Sequence, residues 1–349
     1  MRSRLAREGL EALLVTHLPN IRYLTGFTGS AGILLLRPDE TILLTDFRYA
    51  TQAPIEVGGS ATVEIDPASV WELLRRRSAE RPGQTVGFEA HAMTVRDLSR
   101  LKGSVPATAP VGELVEELRL VKGPEEVEAI AAAAAVASEA LAEVLPTIRP
   151  GQTELLVASR LEAALRRRGS EWHPFQTIVA SGERAALPHA RTTSRAIEAG
   201  EFLLIDFGAQ VDGYCADLTR TVVVGGRADE RQREVYEAVQ AAQLVARGGI
   251  RAGLTGREAD ALARDLLAAR GFGDAFGHSL GHGLGLEVHE APRLSTTSEA
   301  VLPAGAVVTI EPGLYLPGWG GVRLEDDVVL TATGQRELSD GQVELIELV

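Results

Sequence analysis

Residues 203–224 read LLIDFGAQVDGYCADLTRTVVV, and their reading decides the fold of the second half of the chain. Val211-Asp212-Gly213-Tyr214 lies between two runs rich in β-branched and apolar residues. Asp-Gly in that setting is among the strongest short-range signals for a hairpin. A turn centred near Asp212 sets Asp206 and Asp217 opposite each other or one diagonal step apart, on one face. Downstream, VVTIEPGLYL and GVRLEDDVVL flank Pro317-Gly318-Trp319-Gly320, and Gly318 is the midpoint between Glu311 and Glu325. Two hairpins thus each present a pair of carboxylates.

A single acid beside a turn is usually a turn former or a solvated group, and Glu-Pro-Gly is usually a strand end. Here the acids close otherwise apolar strands, LLID and TIEP, where burial without a partner costs several kcal/mol. Four carboxylates gathered together need a compensating cation to stay ionised. His282, in GHSLGHGLGLEVHE (277–290), adds a nitrogen. Four carboxylates and one imidazole form a hard, oxygen-rich set that suits Mn²⁺ better than a thiolate-type zinc site, with Zn²⁺ or Co²⁺ as the alternative ions. Two ions sharing carboxylates would hold a water between them and lower its pKa.

The rest of the chain sets bounds. With 349 residues, 45% hydrophobic and 24% charged, it suits two ordinary globular domains. A net charge of −13 argues against nucleic acid or an anionic membrane as the main partner. Cys215 is the only cysteine, so no intrachain disulfide forms, which fits a cytoplasmic protein. Cys215 itself reads as a small buried filler. The start, MRSRLAREGLEALLV, shows no signal-peptide core. AIAAAAAVASEALAEVL (129–145) is broken by glutamates and is not expected to span a membrane.

Residues 1–121 alternate helices and strands in the manner of an α/β layer domain. Leu5–Leu14 reads as a helix, Gly32–Leu36 and Thr41–Thr45 as paired strands, Val70–Arg77 as a helix and Thr85–Phe88 as a strand. Pro106–Pro110 begins a switch to a helical segment, Glu113–Leu120. Leu120-Val121-Lys122-Gly123-Pro124 marks the boundary, with proline and three glutamates opening the next helix. In residues 122–349, helices over Glu125–Leu145 and Thr153–Arg168 precede the aspartate hairpin. Helices over Glu230–Arg247 and Gly256–Ala269 precede the glutamate hairpin. Two helices then a carboxylate hairpin, twice, describes an α+β domain with pseudo-two-fold symmetry, both halves packed on a shared sheet.

IDFG with CADLTRT, GHSLGHGLGLEVHE, TIEPGLYLP and GVRLEDDVV together resemble the motif set of the pita-bread metallopeptidases that cleave before proline, the group of aminopeptidase P and prolidase. NIRYLTGFTGSAGILLL and TILLTDFRYA resemble the smaller creatinase-like domain of that group. The resemblance spans the chain and implies two divalent ions. In it, Asp217 and Glu325 bridge, Asp206 binds one ion, and His282 with Glu311 binds the other. It further implies that Glu311 shuttles the proton, that His189, His278 and His289 line the substrate pocket, and that Arg323 supports the site. A homodimer is also implied.

The substrates expected are small peptides with proline second. Such a bond lacks an N–H, so the amine, the carbonyl and the proline ring must be held instead. Phe175, Tyr214 and Trp319 are candidate shelves for the ring. An Xaa-Pro aminopeptidase is slightly preferred. The alternative is an Xaa-Pro dipeptidase, for which Arg293 could bind the free carboxylate. A catalytically inactive pita-bread binding module is the reading from another class, disfavoured because such modules generally lose the ligands retained here. The glycines of GHGLG are expected to admit backbone and substrate close to the metals.

Overall fold

Runs such as ALLV and ILLL lack polar alternation because both faces of their sheet are covered. In the computed structural model, which describes residues 1–67 and 69–349, the chain divides into two units, Met1–Arg119 and Leu120–Val349. The first unit holds β1 (Ala12–Val15), β2 (Ile33–Leu36), β3 (Thr41–Thr45), β4 (Thr62–Ile65), β5 (Thr85–Glu89) and β6 (Ala107–Val111). They form one mixed sheet in the order β4-β3-β2-β1-β5-β6. Leu13, Val15, Leu34 and Leu36 enter one core, while Ala12, Leu14, Ile33 and Leu35 enter another. Helices α1 (Arg2–Arg7), α2 (Leu18–Thr25), α3 (Gln52–Val57), α4 (Val70–Ala79), α5 (Val95–Ser104) and α6 (Glu116–Arg119) complete this unit.

Two expectations fail here. The helix expected over Leu5–Leu14 stops at Arg7. Gly9 takes φ 65°, and Ala12–Val15 becomes a strand between β2 and β5. The stretch expected to lead from Pro106 into a helix is instead β6, parallel to β5. Pro110 is tolerated because β6 is an edge strand, where a missing N–H costs no ladder bond. The helix after it shrinks to Glu116–Arg119.

The second unit opens on α7 (Pro124–Val144), whose start is fixed by Pro124 and by Glu126 accepting from the Gly123 N–H at 2.8 Å. By length and composition this helix, extended to Thr147, could cross a membrane. In this fold Ala133, Ala134, Ala137 and Ala140 are buried against the sheet instead. Next come α8 (Glu154–Arg167), β7 (Ile178–Ser181), β8 (Glu201–Val211) and β9 (Tyr214–Val224). Asp212 and Gly213 take φ 48° and 78°, the left-handed pair that a two-residue hairpin turn requires. The second half repeats the order with α9 (Glu230–Gly249), α10 (Gly256–Ala269), β10 (Gly281–Gly283), β11 (Glu290–Leu294) and β12 (Val307–Ile310). Then follow β13 (Gly313–Leu316), β14 (Gly320–Arg323), β15 (Asp326–Leu330), β16 (Gln335–Glu337) and β17 (Ile346–Leu348).

The duplication is visible in the backbone. The Gly151 N–H bonds the Ile197 carbonyl at 2.8 Å, and the Gly253 N–H bonds Leu302 at 2.9 Å. Thr153 bridges Ala196 as Thr255 bridges Val301. Gly200 stands six residues before Asp206, and Gly305 six before Glu311. The expected shared sheet is, however, divided. β17-β9-β8-β7 and β11-β10-β12-β15-β16 are separate sheets, with β13-β14 a ribbon of its own. Among the described residues, one isolated antiparallel bridge, Thr219 to Glu325, joins the two hairpin systems.

Candidate metal centre

That bridge is what brings the acids together. Asp206 pairs with Thr219 across the first hairpin, and Asp217 pairs with Gly208, one diagonal step away. The Glu325 N–H donates to the Thr219 carbonyl at 3.1 Å, and Thr219 Oγ1 donates to Glu325 Oε2 at 2.6 Å. In the second hairpin, β12 pairs with β15 and β13 with β14. Glu311 and Glu325 fall between these two ladders, at matching positions on the two arms of the hairpin.

Asp217, His282 and Glu325 offer donor atoms that all lie within 4.8 Å of one another. His282 Nε2 is 3.8 Å from Asp217 Oδ2 and 3.4 Å from Glu311 Oε1. Its Nδ1 lies 3.0 Å from the Gly283 carbonyl, which can only accept. The proton therefore sits on Nδ1, and Nε2 keeps its lone pair for a ligand. Asp206 is ion-paired with Arg323.

The electrostatics are those of a cluster short of positive charge. Burial, then the nearby Glu325 and Asp206 carboxylates, holds Asp217 well above the usual carboxylate range. Burial followed by repulsion from Glu311 and Asp206 does the same to Glu325. Glu311 is pushed up to about 8, chiefly by burial. Asp206 is also raised by burial, against the pull of Arg323. Burial lowers His282 to about 4, so the ring is neutral and competent to coordinate. Asp217 Oδ1 is buried without a hydrogen-bond partner. A buried carboxylate oxygen left bare among other carboxylates fits a cation ligand.

The remaining expected residues surround this cluster unevenly. His278 Nδ1 lies 2.8 Å from the Ser279 carbonyl, and its Nε2 accepts from the Tyr315 hydroxyl at 2.8 Å. Arg323 Nη1 donates to that same Tyr315 oxygen at 2.9 Å. Both ring nitrogens of His278 are thus engaged. The His289 ring centroid is 4.3 Å from that of His282. His189 is exposed, next to Pro188, whose carbonyl accepts from Arg323 at 3.3 Å. Arg293 pairs across the strand with His282, and its exposed guanidinium makes no hydrogen bond or ion pair among the described residues.

Of the three aromatic candidates, Phe175 lies over Gly208, where an added Cβ would meet its ring at 3.0 Å. Tyr214 instead bonds Glu126 at 2.9 Å and packs beside Val127 and Ile130. It is three residues from Asp217, and strand alternation turns it to the opposite face. Trp319 sits at the far turn of the β13–β14 ribbon, edge-on to Phe202 and beneath Arg231. The glycines also differ from expectation. A Cβ on Gly281 would lie 2.1 Å from the Thr309 carbonyl, and one on Gly283 would lie 2.1 Å from the Ala291 carbonyl. They let neighbouring strands approach.

Sequence reading missed Thr219, Tyr315 and Asp327. Asp327 Oδ2 accepts from the Asp217 N–H at 3.0 Å and is itself fully buried. Its signal was available, since Asp327 stands only two residues after Glu325, in the LEDD run that the sequence presents.

Residues 128–332 match the family described as Metallopeptidase family M24, and residues 1–121 match the Creatinase/Prolidase N-terminal domain. An Xaa-Pro dipeptidase of Pyrococcus horikoshii is 35% identical over 342 residues, covering 97% of this chain and 95% of the relative. A solved structure of an Xaa-Pro dipeptidase from Bacillus anthracis has TM-score 0.96 at 42% identity, covering 99% and 98% of the two chains. An X-Pro aminopeptidase from Thermotoga maritima has TM-score 0.91 at 35% identity, covering 99% of each. With the carboxylate hairpins, the histidine among them and these matches in hand, the chain belongs to the metallopeptidase family M24 and carries that family's pita-bread fold behind a creatinase-type N-terminal domain.

Proposed function

We propose that this chain is a metal-dependent exopeptidase that hydrolyses the bond between an N-terminal residue and proline, with dipeptides as its substrates. The observation that carries the reading is the convergence of buried Asp217 and Glu325 with half-buried His282, with Glu311 3.4 Å from His282. The aminopeptidase preferred from sequence gives way to the dipeptidase alternative for two reasons. The relatives include proteins named Xaa-Pro dipeptidase at 35% and 42% identity. Arg293, without a hydrogen bond or ion pair among the described residues and in register with His282, also offers a cation for the free carboxylate of a dipeptide.

The family implies divalent metal ions. Asp206, Asp217, His282, Glu311 and Glu325 would hold two of them, Mn²⁺ by preference for an oxygen-rich set. Metal bound there would supply a water acidified towards neutral pH and a Lewis acid for the scissile carbonyl. The chain's own groups do the rest. Glu311 would take a proton from the attacking water and deliver it to the departing proline nitrogen as the amide bond breaks. Arg323 fixes Asp206 and Tyr315 together, and through Tyr315 orients His278. His289 and His189 hold the substrate carbonyl side, and Phe175 gives the proline ring an apolar surface. The domain division at residues 121 and 122, a cytoplasmic location and a homodimer belong to the same proposal. A fully active monomer in sedimentation would overturn the dimer.

The test is turnover of an Xaa-Pro dipeptide against a tripeptide with the same first two residues. The dipeptide is expected to be cut with the higher kcat/KM, and Arg293→Met to raise its KM about 10-fold or more, the weight of a charge-assisted pair. Faster cleavage of the tripeptide would restore the aminopeptidase. Equal cleavage of an N-acetylated dipeptide would overturn the exopeptidase reading itself.

A further inference from the structure

We infer that Glu154 is a positioning residue for catalysis, its buried carboxylate tying together both ends of the loop that carries His189. This rests on the assignment of His189 to the substrate site made above. Glu154 opens α8 and is fully buried. Its Oε1 accepts from the Ser181 N–H and the Ser181 hydroxyl, both at 2.9 Å. Oε2 accepts from the Thr193 N–H at 3.0 Å and the Thr193 hydroxyl at 2.7 Å. Arg184 Nε reaches both oxygens, at 3.1 and 3.3 Å. Ser181 ends β7 and Thr193 leads back towards β8, so one carboxylate closes the loop over 182–192 at its stem. Nearer the tip, the Pro188 carbonyl is held by Arg323, the residue that also binds Asp206. The position of His189 relative to the acids is therefore set from both ends.

The internal duplication shows that helix packing alone does not demand this glutamate. The Glu154 N–H bonds Arg195 at 3.1 Å just as the Gly256 N–H bonds Ala300 at 3.0 Å. Leu155 bonds Thr193 at 3.0 Å as Arg257 bonds Ser298 at 2.8 Å. Yet the counterpart of Glu154 is a glycine, and a Cβ there would lie 2.1 Å from the Arg293 carbonyl. In the second half the following chain packs directly on the helix start. In the first half that space is filled by a carboxylate reaching to the loop, and this is the half whose loop bears His189.

The experiment is a double-mutant cycle on the metal-loaded enzyme with Glu154→Gln, His189→Ala and the pair, read as kcat and KM on an Xaa-Pro dipeptide. Glu154→Gln keeps the side-chain volume but turns an amide N–H₂ towards donors, releasing one stem of the loop. Its expected effect is a fall in kcat of about 10–100-fold with metal content unchanged, the range for residues that orient a metal site's working groups. In the His189→Ala background the further loss should be under about 2-fold, since residues acting as a unit are not additive. Thr193→Val, which removes one hydroxyl bond, should show a smaller loss in the same direction. Amide exchange in Glu154→Gln should quicken within 182–192 and stay unchanged in α8. A full Glu154→Gln loss on top of an impaired His189→Ala enzyme overturns this inference alone, as does wild-type turnover by Glu154→Gln. Wild-type turnover by His189→Ala instead overturns the assignment of His189, and the inference with it.

Discussion

At the scale of single residues, the centre separates groups that hold charge from groups that hold position. Asp217 is held well above the usual carboxylate range by burial and then by Glu325 and Asp206, Glu325 by burial and then by Glu311 and Asp206, and Asp217 Oδ1 has no protein partner. Asp206 already has Arg323. Removing charge from Asp217 should therefore cost more metal than removing it from Asp206. In elemental analysis Asp217→Asn is expected to lose most of both ions, and Asp206→Asn to keep at least one. Equal loss in both would refute the bridging assignment. Arg323 spends its guanidinium on Asp206, Tyr315, Thr219 and Pro188. A lysine cannot reproduce that planar set. Arg323→Lys should lower kcat about 10–100-fold while metal stays bound. His278 has both nitrogens occupied, so His278→Ala should likewise spare the ions, and an emptied site would make it a ligand.

At the scale of elements, the glycines of β10 do the work of a close strand approach. An added methyl at Gly281 or Gly283 meets backbone oxygen rather than a yielding side chain. Gly281→Ala should destabilise by about 1–3 kcal/mol, the usual cost of overpacking. That corresponds to roughly 2–4 °C in Tm per kcal/mol for a domain of this size. Gly277→Ala, with nothing within 4 Å, is the control and should change stability by less than about 0.5 kcal/mol. Equal melting of the two would show that the strands can part. The same elements show how far sequence reading reaches. The aspartate hairpin was legible because Asp212-Gly213 admits few other backbones, and the long helices because proline or capping residues marked their starts. β1 was hidden because ALLV is buried on both faces and so carries no period of two. The division into two sheets, and Thr219 as their joint, could not be read at all. That contact links residues more than a hundred apart, and nothing local to either end specifies it.

At the scale of the whole molecule, a protein of net charge −13 gathers the buried Asp206, Asp217 and Glu325 with the half-buried Glu311, and its stability should record whether cations are present. Glu311 has a folded-state pKa of about 8, against an ordinary 4.5. Without metal, the folded protein keeps a proton that the unfolded chain releases. Its contribution to stability is fully present below the ordinary value and is lost as pH rises towards 8. Asp217 and Glu325, raised by burial, act with the same sign. His278 and His282, lowered to about 4, act in the other direction, but only below their ordinary 6.5. Between pH 6.5 and 8 the raised carboxylates therefore stand alone, and the chelated protein should melt at progressively lower temperature. With metal bound the same carboxylates are ionised and paired, so that slope should vanish and the stabilisation by Mn²⁺ should widen with pH. Thermal melts of chelated and Mn²⁺-loaded protein across this window test it, with Glu311→Gln as the variant that removes part of the slope. Parallel curves for the two forms would mean that these carboxylates do not bind the ion.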